Sequence, residues 1–243
     1  MRMLLSLLVW FALWEAVGQA KFSSIVPPFS AVIEAMVEIA PTDKFRAAAV
    51  ISLRNYGLGM GLGLAVGIPL GIAMARVKSV GRILGMWVNI FVSAPISALV
   101  PILMAVLGIG ETTVVVTVFL FAVFVIILDT QVGITHADRS LVEMARSFGA
   151  NRRQLYTKVL LLSALPEILA GVRLGAIRGV KGVVIGQLLV AIIGVGELFE
   201  LYSNHFLMEE FWALVVIVFL FAFAVSEAIA ALERRVEYYA ASR

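Results

Sequence analysis

The chain has 243 residues, 62% of them hydrophobic and only 14% charged, with a formal net charge of +3. Soluble chains carry about 25% charged residues, so the excess apolar surface here faces lipid rather than water. Cysteine is absent, which excludes disulfides, thiolate metal sites and thiol catalysis; His136 and His205 stand far apart with no carboxylate motif around them, which argues against a metal centre.

A helix needs about 20 apolar residues to cross the hydrocarbon core. Six predicted spans follow: residues 3–20, 56–75, 83–107, 112–128, 166–193 and 211–232. The fourth is short and the fifth carries charges. The runs are continuous rather than alternating, which favours helices over barrel strands. The expected fold class is therefore all-α, a polytopic membrane protein with about six transmembrane helices forming one domain over 1–243.

In chain order, Arg2, the apolar run from Met3 and the small residues of Val17–Ala20 fit a secretory signal. Trp14 and Glu15 interrupt that run, and the expectation is a retained first membrane helix. Residues 21–55 form an outer connection. There Pro27 and Pro28 precede Ser30, a candidate helix cap, and Val32, Ile33, Met36, Val37 and Ala40 are spaced for one face of an interfacial helix. Glycine is dense from Gly57 to Ala75, which lets helix backbones approach closely. Ser93, Pro95, Ser97 and Pro101 fall within the third span, where proline frees backbone carbonyls to line a passage or simply kinks the helix; a kink is expected.

Basic residues set the orientation. Arg2, the group Arg76, Lys78 and Arg82, the group Arg139, Arg146, Arg152, Arg153 and Lys158, and Arg234, Arg235 and Arg243 all fall on one side. The opposite connections hold Lys21, Lys44, Arg46 and Arg54. The positive-inside bias puts both termini and the 129–165 loop in the cytoplasm.

Within that loop Ser140 and Glu143 fit a capping box. Leu141, Met144, Ala145 and Phe148 recur at helical spacing, and Gly149 marks a helix stop. A second helix is predicted from near Asn151 to Pro166. An apolar stripe on so short a helix suits a groove in a partner protein or an anionic lipid surface, and the residues alone favour neither.

Glu143, Ala145, Gly149 and Leu165–Pro166 resemble the EAA signature of membrane subunits of bacterial ABC importers, with Met144 where the signature has alanine. Ser93–Glu111, with Pro95, Pro101 and the Gly108–Glu111 turn, is similar to the third-helix region of nitrate/sulfonate/taurine-type permeases. Pro27–Pro28 and Gly171–Gly175 also resemble that group. The resemblance implies a type I importer permease fold in a bacterial inner membrane. It implies a cytoplasmic coupling helix in which Glu143, Ala145 and Gly149 anchor the loop, Leu141, Met144, Arg146 and Phe148 make contact, and Pro166 closes the motif. The implied partners are a cytoplasmic ATPase dimer, a second permease copy in a homodimer, and an extracytoplasmic substrate-binding protein. ATP and Mg would sit on the ATPase, since this chain has no phosphate-binding loop of the G-x-x-x-x-G-K-[ST] kind. No cofactor, catalytic residue or nucleic-acid partner is expected in this chain; membrane lipid is.

Ionisable groups inside a bilayer are costly and default to functional hypotheses. Arg178 and Lys181 are three residues apart on the fifth helix, and related permeases often carry an aromatic near Lys181 and a carboxylate near Gln187. The more positive balance here favours an anionic solute. An internal ion pair with Asp129 or Glu227 is the competing reading, and Arg173 can snorkel to the cytoplasmic interface. The candidate translocation path is thus Ser93, Pro95, Ser97, Asp129, Arg173, Arg178, Lys181 and Gln187. A stand-alone secondary transporter or channel would need symmetric halves or a carboxylate cluster, and a membrane enzyme a nucleophile–base or metal constellation; neither is visible in the sequence.

Overall fold

A computed structural model describes residues 2–21, 23–136, 139–190 and 192–241. The described residues form eleven helices and no strand: α1 (Arg2–Gln19), α2 (Phe29–Ile39), α3 (Asp43–Arg76), α4 (Lys78–Ser93), α5 (Val100–Leu107), α6 (Glu111–Thr135), α7 (Arg139–Ser147), α8 (Arg152–Ser163), α9 (Leu165–Val190), α10 (Gly194–Asn204) and α11 (Met208–Ala241). Of these, α3, α6 and α11 are long and apolar enough to cross a membrane. Two bent pairs, α4 with α5 and α8 with α9, bring the count to five if each is one span, and α1 is a shorter apolar helix.

Several predicted boundaries change. The third span, 83–107, is not one helix: α4 and α5 meet at 93°. Proline is the cause. Pro95 lacks an N–H and pushes Ala94 into extended backbone (φ −72°, ψ 146°), so the helix stops there and resumes through a 3-10 turn at Ile96–Leu99. The second span begins much earlier than residue 56. With 34 residues α3 reaches about 50 Å, well beyond a hydrocarbon core of about 30 Å. Helix α10 was not anticipated at all, because eleven residues carrying Glu197 and Glu200 give no span signal.

The contacts gather the chain into two compact units, one of Met1–Arg54 with Gln187–Phe221 and one of Asn55–Gly186 with Ala222–Arg243.

In the first unit, α2 packs on the start of α11 through Val32, Ala35, Ile39 and Ala213. The predicted α2 face is corrected: Ile33 and Val37 are exposed, and Ala35 and Ile39 take the inner side. Ser30 is not the cap either. It lies inside the helix, where its N–H and hydroxyl both donate to the Glu15 carboxylate at 2.9 Å. Trp14 and Trp212 meet edge to face and donate their indole N–H groups to the carbonyls of Pro27 and Ile25, which fixes the connection after α1. A second cluster joins Ala48 of α3 to Val195, Leu198 and Phe199 of α10 and Leu214 of α11.

In the second unit α6 is the centre. Gly59, Gly63, Gly67 and Gly71 of α3 recur every four residues and face Val118, Ala122, Ile126 and Thr130 of α6. On another side Gly171 and Gly175 of α9 lie against Asp129 and Ile126, and Gly182 and Gly186 against Val118 and Thr117. Four-residue spacing keeps each row on one helix face, so the backbones can approach where lipid supplies no hydrophobic drive.

Candidate functional site

The segment that follows α6 is built from two short helices around one turn. Helix α7 ends in a Schellman motif: Ala150 N–H donates to the Ala145 carbonyl at 3.0 Å and Gly149 N–H to that of Arg146 at 2.9 Å. Gly149 takes φ +76°, a left-handed conformation that side chains disfavour, which accounts for glycine at this position. The expected box at Ser140 and Glu143 is corrected, since the helix already includes Arg139 and Ser140 is inside its first turn. A cap before Arg139 would fall outside the described residues. The box that forms belongs to α8. There Asn151 Oδ1 accepts from Gln154 N–H at 2.9 Å, and Gln154 Oε1 accepts from Asn151 N–H at 3.0 Å.

Burial divides the predicted apolar stripe. Ala145 is buried, whereas Leu141, Met144 and Phe148 point outward, Phe148 at 86% exposure. Positions 141, 144 and 148 lie one above another along a helix, so they form a single apolar ridge. Glu143 and Arg146 are also exposed beside it. Beyond α7, α8 passes through a π-helical turn at Leu155–Leu160, and the chain bends by 55° into α9, where Pro166 occupies the first turn. Proline is well placed there, since its missing N–H is one that no helix start uses.

The candidate path residues have unlike surroundings. Ser93 and Pro95 are exposed at the α4–α5 break, and Ser97 is half-buried in the 3-10 turn. Asp129 packs on Gly171 and lies within electrostatic reach of Arg178 and Glu167. Lys181 is exposed, so it and half-buried Arg178 have different surroundings despite their spacing. Arg173 reaches α11, donating to Ser226 Oγ at 3.3 Å and to Glu233 at 3.4 Å. Glu227, a possible partner for the cations of α9, lies 3.8 Å from Arg234 instead. Gln187 is fully buried and accepts a hydrogen bond from Ser52 at 2.8 Å.

Two polar residues escaped the sequence reading. Ser52 is buried in the first unit. Asn55 is fully buried in the second, and its side-chain amide has no hydrogen-bond partner among the described residues. Both fall at the end of the outer connection expected over 21–55, where single polar residues carry no pattern. A cavity of about 450 Å³ also opens where the ends of α1 and α11 meet, lined by Lys21, Phe206, Glu209 and Glu210 among others. Lys21 (φ 50°) and Phe206 (φ 55°) hold left-handed backbone on its wall, and such strain clusters at working surfaces.

Residues 67–238 match the family described as binding-protein-dependent transport system inner membrane component. The taurine transport system permease protein TauC of Escherichia coli (strain K12) is 28% identical over 135 residues, 56% of this chain and 49% of that protein. The glycine betaine/proline betaine transport system permease protein ProW of the same organism is 41% identical over 100 residues, 41% of this chain and 28% of that one. The chain thus spans about half the length of TauC and less of ProW. Among solved structures, a chain of the MetNI methionine ABC transporter in an inward-facing conformation superposes with a TM-score of 0.67 at 22% identity. It covers 81% of this chain and 98% of that one, a likeness of fold.

Proposed function

Because the chain belongs to the family of inner membrane components of binding-protein-dependent transport systems, we propose that it is the permease subunit of an ATP-driven importer. It works as a pair of copies in a bacterial inner membrane, with both termini in the cytoplasm. The observation that carries this reading is the exposed ridge of Leu141, Met144 and Phe148 on α7, held in position by the Schellman turn at Gly149. An amphipathic helix whose apolar side is turned away from its own protein suits a partner's groove. Here the groove belongs to a separate ATPase, which binds ATP and Mg and supplies the energy. A binding protein delivers solute from outside the cytoplasm, and the cavity lined by Lys21, Phe206, Glu209 and Glu210 offers it an aromatic anchor among charges of both signs.

The solute is proposed to be small and anionic, a sulfonate, nitrate or other organic anion. Exposed Lys181 and the name of the taurine relative support this. Taurine and the betaines each join an acid group to a positive one, so the two relatives' names widen the range to zwitterions that carry such an acid group.

The test is uptake into proteoliposomes holding this chain with and without the ATPase expressed beside it. ATP-dependent uptake that disappears with the ATPase, and with Phe148→Asp, is the expected result. Transport that persists without any ATPase would sink the importer reading in favour of a stand-alone carrier.

A further inference from the structure

A second cavity, of about 430 Å³, lies in the second unit at the end of α3, where α8 comes up beside it. Its polar side consists of Arg76, Arg152 and Tyr156, and its apolar side includes Pro69, Ile72 and Val77. Neither Asp nor Glu is among the described residues that line it. The guanidinium of Arg76 sits over the ring of Tyr156, 4.4 Å from the centroid, an attraction that holds the cation in orientation without neutralising it. Two arginines facing one space repel each other unless an anion lies between them, and the planar guanidinium fork matches a phosphate group closely.

Position adds a second argument. Arg76 is the last residue of a helix that is apolar from Gly57 to Ala75. The positive-inside bias places this end in the cytoplasm, so Arg76 stands where hydrocarbon gives way to headgroups. Apolar walls beneath two cations fit a molecule with a charged head and a greasy body. Basic pockets between membrane helices on the cytoplasmic side hold anionic lipid headgroups in this way.

We infer that Arg76, Arg152 and Tyr156 form a site for a phosphate-bearing anion, filled from the bilayer by the headgroup of an anionic phospholipid. The site is separate from the α7 ridge and does not depend on any ATPase. Through α8 its occupancy is linked to the chain that follows the Gly149 turn.

The test is native mass spectrometry of the detergent-purified chain with phosphatidylglycerol or phosphatidylcholine added. Wild type retains phosphatidylglycerol in preference. The double variant Arg76→Gln/Arg152→Gln loses that preference by about tenfold or more, and Arg76→Lys/Arg152→Lys keeps most of it. Millimolar inorganic phosphate serves as the competitor. Retention that phosphate cannot displace assigns the anion to the bilayer, and displacement by phosphate assigns the same site to a cytosolic phosphate compound. Equal retention of both lipids by wild type overturns the proposal even if the glutamine variant does not fold. Unchanged phosphatidylglycerol preference in a folded glutamine variant overturns it equally.

Discussion

The hydroxyl of Ser52 on α3 donates to Oε1 of Gln187 on α9 at 2.8 Å, joining residues 135 positions apart. The same Ser52 oxygen accepts from Val195 N–H at 3.0 Å, so one side chain ties together α3, the end of α9 and the start of α10. Glycines at 194 and 196 make room, since a Cβ at either would collide with Gln187. Gln187, expected from the sequence in the translocation path, is buried and held by this hydrogen bond in the described chain.

Ser52→Ala removes that tie and strands two buried groups, the Gln187 carbonyl and the Val195 N–H. A loss of about 1–3 kcal/mol is expected, read as a lower thermal midpoint in detergent. Ser52→Thr keeps the hydroxyl and should recover most of it. An unshifted midpoint for Ser52→Ala would mean that the cluster contributes nothing.

The glycine row on α3 makes a paired prediction. A Cβ at Gly67 would lie 2.8 Å from Ile126 Cγ2, and one at Gly61 would meet nothing within 4 Å. Gly67→Ala should therefore destabilise by roughly 1–3 kcal/mol, while Gly61→Ala is neutral or slightly stabilising, because alanine favours a helix. Equal midpoints for the two would contradict the close approach of α3 and α6.

At the turn that ends α7, Gly149→Ala forces a side chain into left-handed backbone at a cost of about 1–2 kcal/mol. Asparagine tolerates that region better, so Gly149→Asn should retain more function. The measurement is ATP-driven uptake in proteoliposomes holding the ATPase, with the order wild type, Asn, Ala. Alanine performing as well as glycine would remove the turn from the mechanism.

Phe148 and Ala145 separate binding from folding. At 86% exposure, Phe148→Ser should change stability by less than about 0.5 kcal/mol. It should nevertheless weaken ATPase co-purification by tenfold or more, about what loss of an aromatic anchor brings at an interface. Ala145→Asp buries a charge and should instead disrupt the loop itself. If Phe148→Ser left ATPase binding intact, the ridge would not be the contact.

The sequence was most legible where a pattern is local. Gly149 stops a helix because its conformation is a property of one residue, and the EAA resemblance places the loop on matching positions. Proline at 95 announced a disturbance, yet a kink and a break of 93° begin from the same missing N–H. Their difference lies in what the following residues pack against. The Ser140 box failed for a related reason: Asn151 and Gln154 carry the same spacing logic, and only the helix start decides which pair is used.

Composition and periodicity by themselves determined that this is a helical membrane protein with a basic loop between apolar segments, because hydropathy and charge act on each segment independently of the others. Tertiary structure alone decided which polar side chains serve as ties and which face outward. Arg173 reaching Ser226 and Glu233, Ser52 bonded to Gln187, and Arg76 over Tyr156 are pairings between distant parts of the chain. Such pairings depend on which helix faces meet, and that is set by glycine rows and packing across the whole unit.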